Sequence, residues 1–413
     1  MNSCSRLPKV IFGTNEKATR ESGFFLVYFC RMKLHRLLFL LLISAAFLNA
    51  CSNGNATGNV TVIFQPKYAT GFRVVKIEGD TLIQFLSHSD SHSHSDSPSV
   101  SHSVSLSNTN PARIALLSTT HSYFVNALGG MNNVCAVTYS DRIQIPALQG
   151  QIQQGSTLNL TRNGEVNLED LMALNPTVLF SVPFEPTQYQ AKLPNCAVIP
   201  TSEYLEEHPL GKAEWIYVFG FILRKDVLAR ELFLDIEKEY IGVMQGHSEG
   251  HSEGASQESS AGPSERPFAE PSTRPSESPK VFFATNNGSD WTVANNQSYW
   301  STLLKDAGAQ YVGAMEGKGN LNFDKERMLF ALNEADVYGE LVYFPNTWNV
   351  SLSAIHPEFS QTKPFQQKKM FLCNAADNGF FDKALIEPHV LLKELKQVLV
   401  DSTFSGNYFQ RTQ

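Results

Sequence analysis

The same order of strand and helix occurs twice in this chain, and that duplication restricts its fold more than any other feature. In the first half, RIALLSTTHSYFVNALGGMNNVCAV (113–137) reads as an apolar strand, a polar loop, a helix, a glycine turn and a second strand. NLEDLMALNPTVLFSV (167–182) follows as a helix, an Asn-Pro stop and a strand. The second half repeats the order in KVFFATNN (280–287), SYWSTLLKDAGAQYVGAM (298–315) and DKERMLFALNEADVYGEL (324–341). ALGGMNNVCAV matches DAGAQYVGAM, and LEDLMALNPTVLF matches KERMLFALNEADVY. Alternating strands and helices favour crossover connections, so the expected class is α/β: two similar α/β lobes with mostly parallel sheets.

Between the halves, residues 211–244 contain no proline and are rich in helix formers. Val227, Leu228, Leu232, Leu234, Ile236 and Ile241 supply apolar faces, and one long helix bridging the lobes is expected. A crevice between two such lobes, outside the carboxyl ends of the strands, is the natural ligand site.

Two low-complexity tracts interrupt this pattern. Every second residue from Ser87 to Ser107 is serine, which reads as repeat slippage, and residues 245–279 carry HSEGHSEG followed by prolines at 263, 267, 271, 275 and 279. A proline every four residues can neither continue a helix nor join a central strand, so a disordered insertion is expected there. His88, His92, His94, His247 and His251 invite a second reading, weak capture of zinc or nickel by a metal-buffering or zinc-delivery protein.

At the N-terminus, LLFLLLISAAFL (37–48) follows Lys33, His35 and Arg36 and ends at LNAC (48–51). The run is too short to span a bilayer, which takes about 20 residues, but it suits the core of a signal peptide. LNAC resembles the bacterial lipobox, which implies cleavage before Cys51 and its acylation. The other reading is an uncleaved anchor with an ordinary thiol. The expected organisation is a start-site extension (1–31), a lipoprotein signal peptide (32–50), a tether, hairpin and Ser/His tract (51–110), an N-terminal lobe (111–210), the bridging helical region (211–244), the insertion (245–279) and a C-terminal lobe (280–413). Such a chain belongs to a bacterial cell envelope, held at the membrane by its lipid alone.

Composition removes other classes. A net charge of -7 leaves no basic excess to neutralise a polynucleotide. Six cysteines without a CxxC pair make neither a disulfide scaffold nor a metal finger, and Cys135, Cys196 and Cys373 sit in apolar strands as buried thiols. GxSxG and HExxH are absent, and GAMEGKG (313–319) has the wrong spacing for a phosphate loop, so no enzyme is expected.

YATGFRVVKIEGDTLIQF (68–85), STTHSYFVNALG (118–129) and EYLEEHPLGKAEWI (203–216) are similar to segments of one family. It comprises the periplasmic substrate-binding proteins of ABC importers for iron-siderophores, haem or cobalamin. They resemble, in order, its leading hairpin, its first strand-to-helix loop and its approach to the bridging helix. The loop that often carries Gly-Asn-Asp there reads NAADNGFFDKALIEPHVLLKEL (374–395) here. The resemblance implies a monomer with no cofactor that captures a small metal chelate or corrinoid and delivers it to a permease dimer with its ATPase.

Loops following strands nominate Thr119, Thr120, His121, Tyr139, Asp141, Phe184, Trp291, Tyr299 and Trp348 as cleft-lining residues. Aromatic faces suit a bulky chelate, although each could equally serve core packing. His121 could ligate iron or cobalt, or cap its helix. Glu169 and Glu326 fall in the first turn of the two duplicated helices. There they stabilise the helix end or, as the resemblance implies, meet arginines of the permease.

Overall fold

The computed structural model describes residues 60–87, 99–183, 186–246, 278–313, 315–317, 319–345, 350–376 and 378–412. All lie within one compact unit, Gly58–Gln413. The chain begins with a four-stranded antiparallel sheet of β1 (Thr61–Phe64), β2 (Phe72–Ile77), β3 (Asp80–Leu86) and β4 (Val100–Ser105), paired in that order. The two-residue turn between β2 and β3 is Glu78-Gly79, with φ of 51° and 92°; both positions need the left-handed region that a tight hairpin demands.

Strand β4 corrects the slippage reading of the first tract. Its residues pair with β3 from Leu82↔Ser105 to Leu86↔Val100. Alternation of serine with a second residue type is also the period of a half-buried strand, and here Val104 and Leu106 are buried in the main core.

The N-terminal lobe follows as β5 (Ile114–Leu116), α1 (Thr119–Ala127), β6 (Val134–Val137), α2 (Pro146–Gln153), β7 (Leu158–Asn159), a small hairpin of β8 (Thr161–Arg162) and β9 (Glu165–Val166), α3 (Leu168–Leu174), β10 (Val178–Ser181), α4 (Pro186–Lys192) and β11 (Ala197–Pro200). Its sheet runs β11-β10-β5-β6-β7, all parallel. Strands β5, β6 and β10 are buried at every residue, as a parallel sheet covered by helices on both faces requires.

The bridging region is not one helix but three: α5 (Pro209–Glu214), α6 (Ile216–Leu223) and α7 (Asp226–Gln245). Arg224 ends α6 in the left-handed conformation, φ 58°. Its guanidinium donates to the carbonyls of Leu106 and Thr109, which holds a residue without glycine's freedom in that turn. The chain then folds back so closely that a Cβ on Gly220 would lie 2.4 Å from that of Ala229. Helix α6 belongs to the N-terminal lobe, where Phe219 stacks on Phe180 and Phe124 with centroids 4.4 and 4.7 Å apart.

The C-terminal lobe contains β12 (Lys280–Asn286), β13 (Trp291–Ala294), α8 (Tyr299–Asp306), β14 (Gln310–Tyr311), β15 (Asn320–Phe323), α9 (Lys325–Glu334), β16 (Val337–Val342), α10 (Leu352–Ile355), α11 (Lys363–Gln366), β17 (Met370–Asn374), α12 (Pro388–Val400) and β18 (Gln410–Thr412). Its parallel neighbours, β17-β16-β12-β14, repeat the β11-β10-β5-β6 order of the first lobe. The duplication read from sequence is thus one of strand order too. Strands β13, β15 and β18 add antiparallel edges, so this sheet is mixed.

Helix α7 is fastened at both ends of its partnership. Glu237 accepts hydrogen bonds from Lys67 Nζ (2.6 Å) and the Tyr68 hydroxyl (2.7 Å), ahead of β2. On the other side, the Tyr240 hydroxyl donates to Asp306 (2.7 Å), and Lys396 Nζ donates to the carbonyls of Val243 and Met244 at the helix end.

Candidate functional site

Residues that follow parallel strands of the two lobes meet each other. Thr119, directly after β5, donates its hydroxyl to Asp382, in the loop after β17, and so joins the lobes. Burial raises the Asp382 pKa, opposed by this hydrogen bond and by the charge of Arg142.

Between the lobes lies a cavity of about 550 Å³. Its N-terminal wall is Tyr204 to Glu207 and Lys212; its C-terminal wall includes Gln297 to Trp300 and the pair Phe380-Phe381. Local sequence sets this wall. Ser298 caps α8 by accepting from the Ser301 amide, which places Tyr299 and Trp300 in its first turn. Trp300 stacks between Phe283 of β12, 3.8 Å away, and Phe380, 5.4 Å away and inclined by 4°. Beyond the stack Phe381, 52% exposed, meets Phe380 edge-on. Together these rings form an apolar surface braced by the core of the C-terminal lobe.

One cation faces that surface. Lys212 Nζ lies 4.9 Å above the Tyr299 ring and donates to the Tyr204 carbonyl at 2.5 Å. Burial pulls its pKa from 10.5 down to about 8, against the opposing pull of Glu203 and Glu206. The site therefore offers an aromatic wall, a cation with a weakened hold on its proton, and nearby carboxylates.

Two segments singled out in the sequence are stitched together behind the cavity. Glu206 accepts from the Thr70 and Gly71 amides and the Trp215 indole, each at 2.9 Å. Glu214 accepts from the amides of Lys67, Tyr68 and Ala69 at 2.7–2.8 Å. The leading hairpin is thus hung on two buried carboxylates of the EYLEEHPLGKAEWI segment.

Of the nominated residues, Thr119 and Tyr299 come to the interface of the lobes. Tyr139 follows β6 with a left-handed backbone; its hydroxyl donates to the Gly164 carbonyl, and Arg142 lies over its ring. Asp141 is exposed in the next turn. Thr120 is buried and donates to Glu203 at 2.6 Å.

His121 is a correction. It is fully buried inside α1, 2.7 Å from the Thr201 hydroxyl and edged by Phe180 and Phe219, so it neither faces the cleft nor caps the helix. Burial lowers its pKa and keeps it neutral at pH 7.

Trp291 is 5% exposed and sits instead in the C-terminal lobe, beside a cavity of about 580 Å³. Its indole points to the buried Glu340 carboxylate (3.4 Å), which also accepts from Asn286 and contacts His356 Nε2 at 3.0 Å. Phe184, Trp348, Cys51, His88, His92, His94, His247 and His251 lie outside the described residues. Among the described residues, no group of three His, Cys, Asp or Glu side chains could hold a metal ion. Cys135, Cys196 and Cys373 are buried, and burial raises each thiol's pKa.

Sequence reasoning missed Tyr204, Leu205, Lys212, Trp300, Phe380 and Phe381 as lining residues. For Phe380-Phe381 a signal existed: two adjacent aromatics in an Asn/Gly loop directly after an apolar strand.

Glu169 and Glu326 occupy equivalent places. Each is the second residue of its helix, behind an N-cap whose side chain accepts an amide hydrogen bond, Asn167 from Asp170 and Asp324 from Arg327. Both are exposed. Helices α3 and α9 run back against the parallel strands they precede, so both glutamates stand at the cleft-facing ends of their lobes.

No protein-family model matches the chain. Its fold is that of periplasmic solute-binding proteins. A periplasmic binding protein from Veillonella parvula has a TM-score of 0.53 at 12% identity, over 80% of this chain and 97% of that one. The periplasmic haem-binding protein HutB of Vibrio cholerae has 0.51 at 16%, over 71% and 100%. The siderophore-binding protein BauB, solved with ferric iron and two acinetobactin molecules, has 0.51 at 14%, over 70% and 92%. A lipoprotein of Methanocaldococcus jannaschii, itself uncharacterized, is 20% identical over 262 residues, 62% of this chain. The chain spans 55% of that protein's length.

Proposed function

We propose that this protein is the solute-binding component of an ABC importer. It captures an iron-siderophore, haem or cobalamin between its lobes and delivers it to a permease dimer with its ATPase. The observation that carries the reading is the inter-lobe cavity walled by Trp300, Phe380 and Phe381 and faced by Lys212, an arrangement made to hold a bulky, partly aromatic, anionic molecule rather than to transform it. The likeness in fold to haem- and siderophore-binding proteins supports it.

In this reading Cys51 carries the lipid that keeps the protein on the envelope membrane, and the lipoprotein relative agrees with that location. Glu169 and Glu326 give a two-fold partner two charges flanking the cleft, which orients the complex and speeds encounter more than it adds affinity.

Native mass spectrometry of the protein purified from its own cells, followed by titration with ferric siderophores, haemin and cyanocobalamin while Trp fluorescence is read, tests the ligand. A co-purified chelate and saturable quenching by one class are expected. No binding by any of the three would defeat the proposal. Cys51→Ala is expected to move the protein to the soluble fraction, and fatty-acid labelling of that variant would remove the anchor.

A further inference from the structure

Each docking glutamate has an apolar neighbour that the lobe's own core does not use. On α3, Leu171 is buried while Met172, three residues after Glu169, is 46% exposed. On α9, Met328, Ala331 and Leu332 are buried, yet Phe330, four residues after Glu326, is 76% exposed, the most exposed aromatic among the described residues. Residues three and four apart share a helix face, so each glutamate and its apolar neighbour form one patch. A single exposed apolar side chain needs no explanation. Here two of them recur beside equivalent charges on two duplicated helices.

We infer that Met172 and Phe330 are apolar anchors of the permease-docking surface, seated beside the ion pairs made by Glu169 and Glu326; this rests on the docking role proposed above. Charge and position single out that partner. The acid at each site calls for a basic residue opposite, and two equivalent patches flanking one cleft fit a two-fold dimer. The patches are not identical. Arg162 pairs with Asp170 beside the first (2.8 Å), whereas exposed Lys325 and Arg327 flank Glu326 in the second. The first is smaller and more acidic; the second is larger and offsets its acid with two cations. A dimer that meets both therefore binds the receptor with unlike contacts on its two halves.

The surrounding rim of charge excludes water from a central apolar contact, the arrangement in which an aromatic anchor carries most energy. Phe330→Ser and Met172→Ser, in the full-length lipoprotein, are tested for binding to the cognate permease dimer in nanodiscs, beside Val227→Ser, an exposed apolar residue on α7 (66%), as control. The expected result is about tenfold weaker association for Phe330→Ser, roughly the 1.4 kcal/mol of one decade in Kd, a smaller loss for Met172→Ser, and none for Val227→Ser. Unchanged circular dichroism and ligand affinity would show that folding and capture are intact. If Glu169→Lys/Glu326→Lys abolishes association while both serine variants bind as wild type, the anchor inference is overturned and docking stands. If neither pair of changes matters, both fall.

Discussion

Lys212 is held in the cleft at a cost to stability, and that cost can be measured. Its pKa falls from 10.5 to about 8 because the folded chain desolvates the ammonium. Between those two values the unfolded chain binds a proton that the folded chain lacks, so stability rises with pH across that window and is lowest below about 8. At 1.36 kcal/mol per pH unit the full penalty at pH 7 is roughly 3 kcal/mol. Partial exposure of the side chain brings a working figure nearer 2 kcal/mol. Lys212→Met keeps the length of the chain and removes the charge. It also loses the hydrogen bond to Tyr204, a contribution of about 1 kcal/mol. Urea unfolding of wild type and variant at pH 7 and pH 9.5 isolates the effect, since other titrating groups are common to both. Wild type is expected to gain about 1–2 kcal/mol over the variant on raising the pH, with the variant equal or more stable at pH 7. Parallel pH profiles for the two proteins, within about 0.5 kcal/mol, would refute the claim that the cleft strains this residue. If the bound molecule is anionic, its affinity in wild type also falls above pH 8 while that of the variant stays flat.

Glu214→Ala leaves three amides of the leading hairpin without their acceptor, one of them, that of Ala69, buried; a loss of about 2–4 kcal/mol is expected, read as a lower urea midpoint. Glu214→Gln, which keeps one acceptor oxygen, should recover part of it. The two Ser- and Pro-rich tracts should respond differently to deletion. Removing residues 247–277 is expected to leave thermal stability and ligand affinity within error of wild type. Removing 99–107 takes away β4 with buried Val104 and Leu106 and should lower the melting temperature by several degrees. Equal tolerance of both deletions would mean that β4 contributes nothing to the core.

What could be read from the sequence was what repeats or is locally encoded. The succession of strands and helices along the two lobes followed from apolar runs closed by Asn-Pro, Gly and polar caps, because those residues act within a turn or two of themselves. The bridging region was misread because its breaks lie at Trp215 and Arg224, neither a helix breaker; Arg224 holds its turn only through carbonyls more than a hundred residues away. Strand β4 was misread because serine alternation satisfies repeat slippage and strand periodicity alike, and only the partner strand decides. Much of the site escaped for the same reason. Loops after strands identified Thr119 and Tyr299, but the Phe283-Trp300-Phe380 stack exists only once β12, α8 and the loop after β17 are brought together.

Helix α7, tied to the leading hairpin by Glu237 and to the C-terminal lobe by Tyr240 and Lys396, has a kinetic meaning. In the proposed function, two jaws mounted on one spine open little, and loading is governed by how often cargo arrives rather than by how fast a trap shuts. Unloading is the reverse problem. In the importer component proposed above, a jaw so held is prised apart by the ATP-driven motion of the permease it docks to. Residence time in the proposed cleft then ceases to be a property of this chain alone.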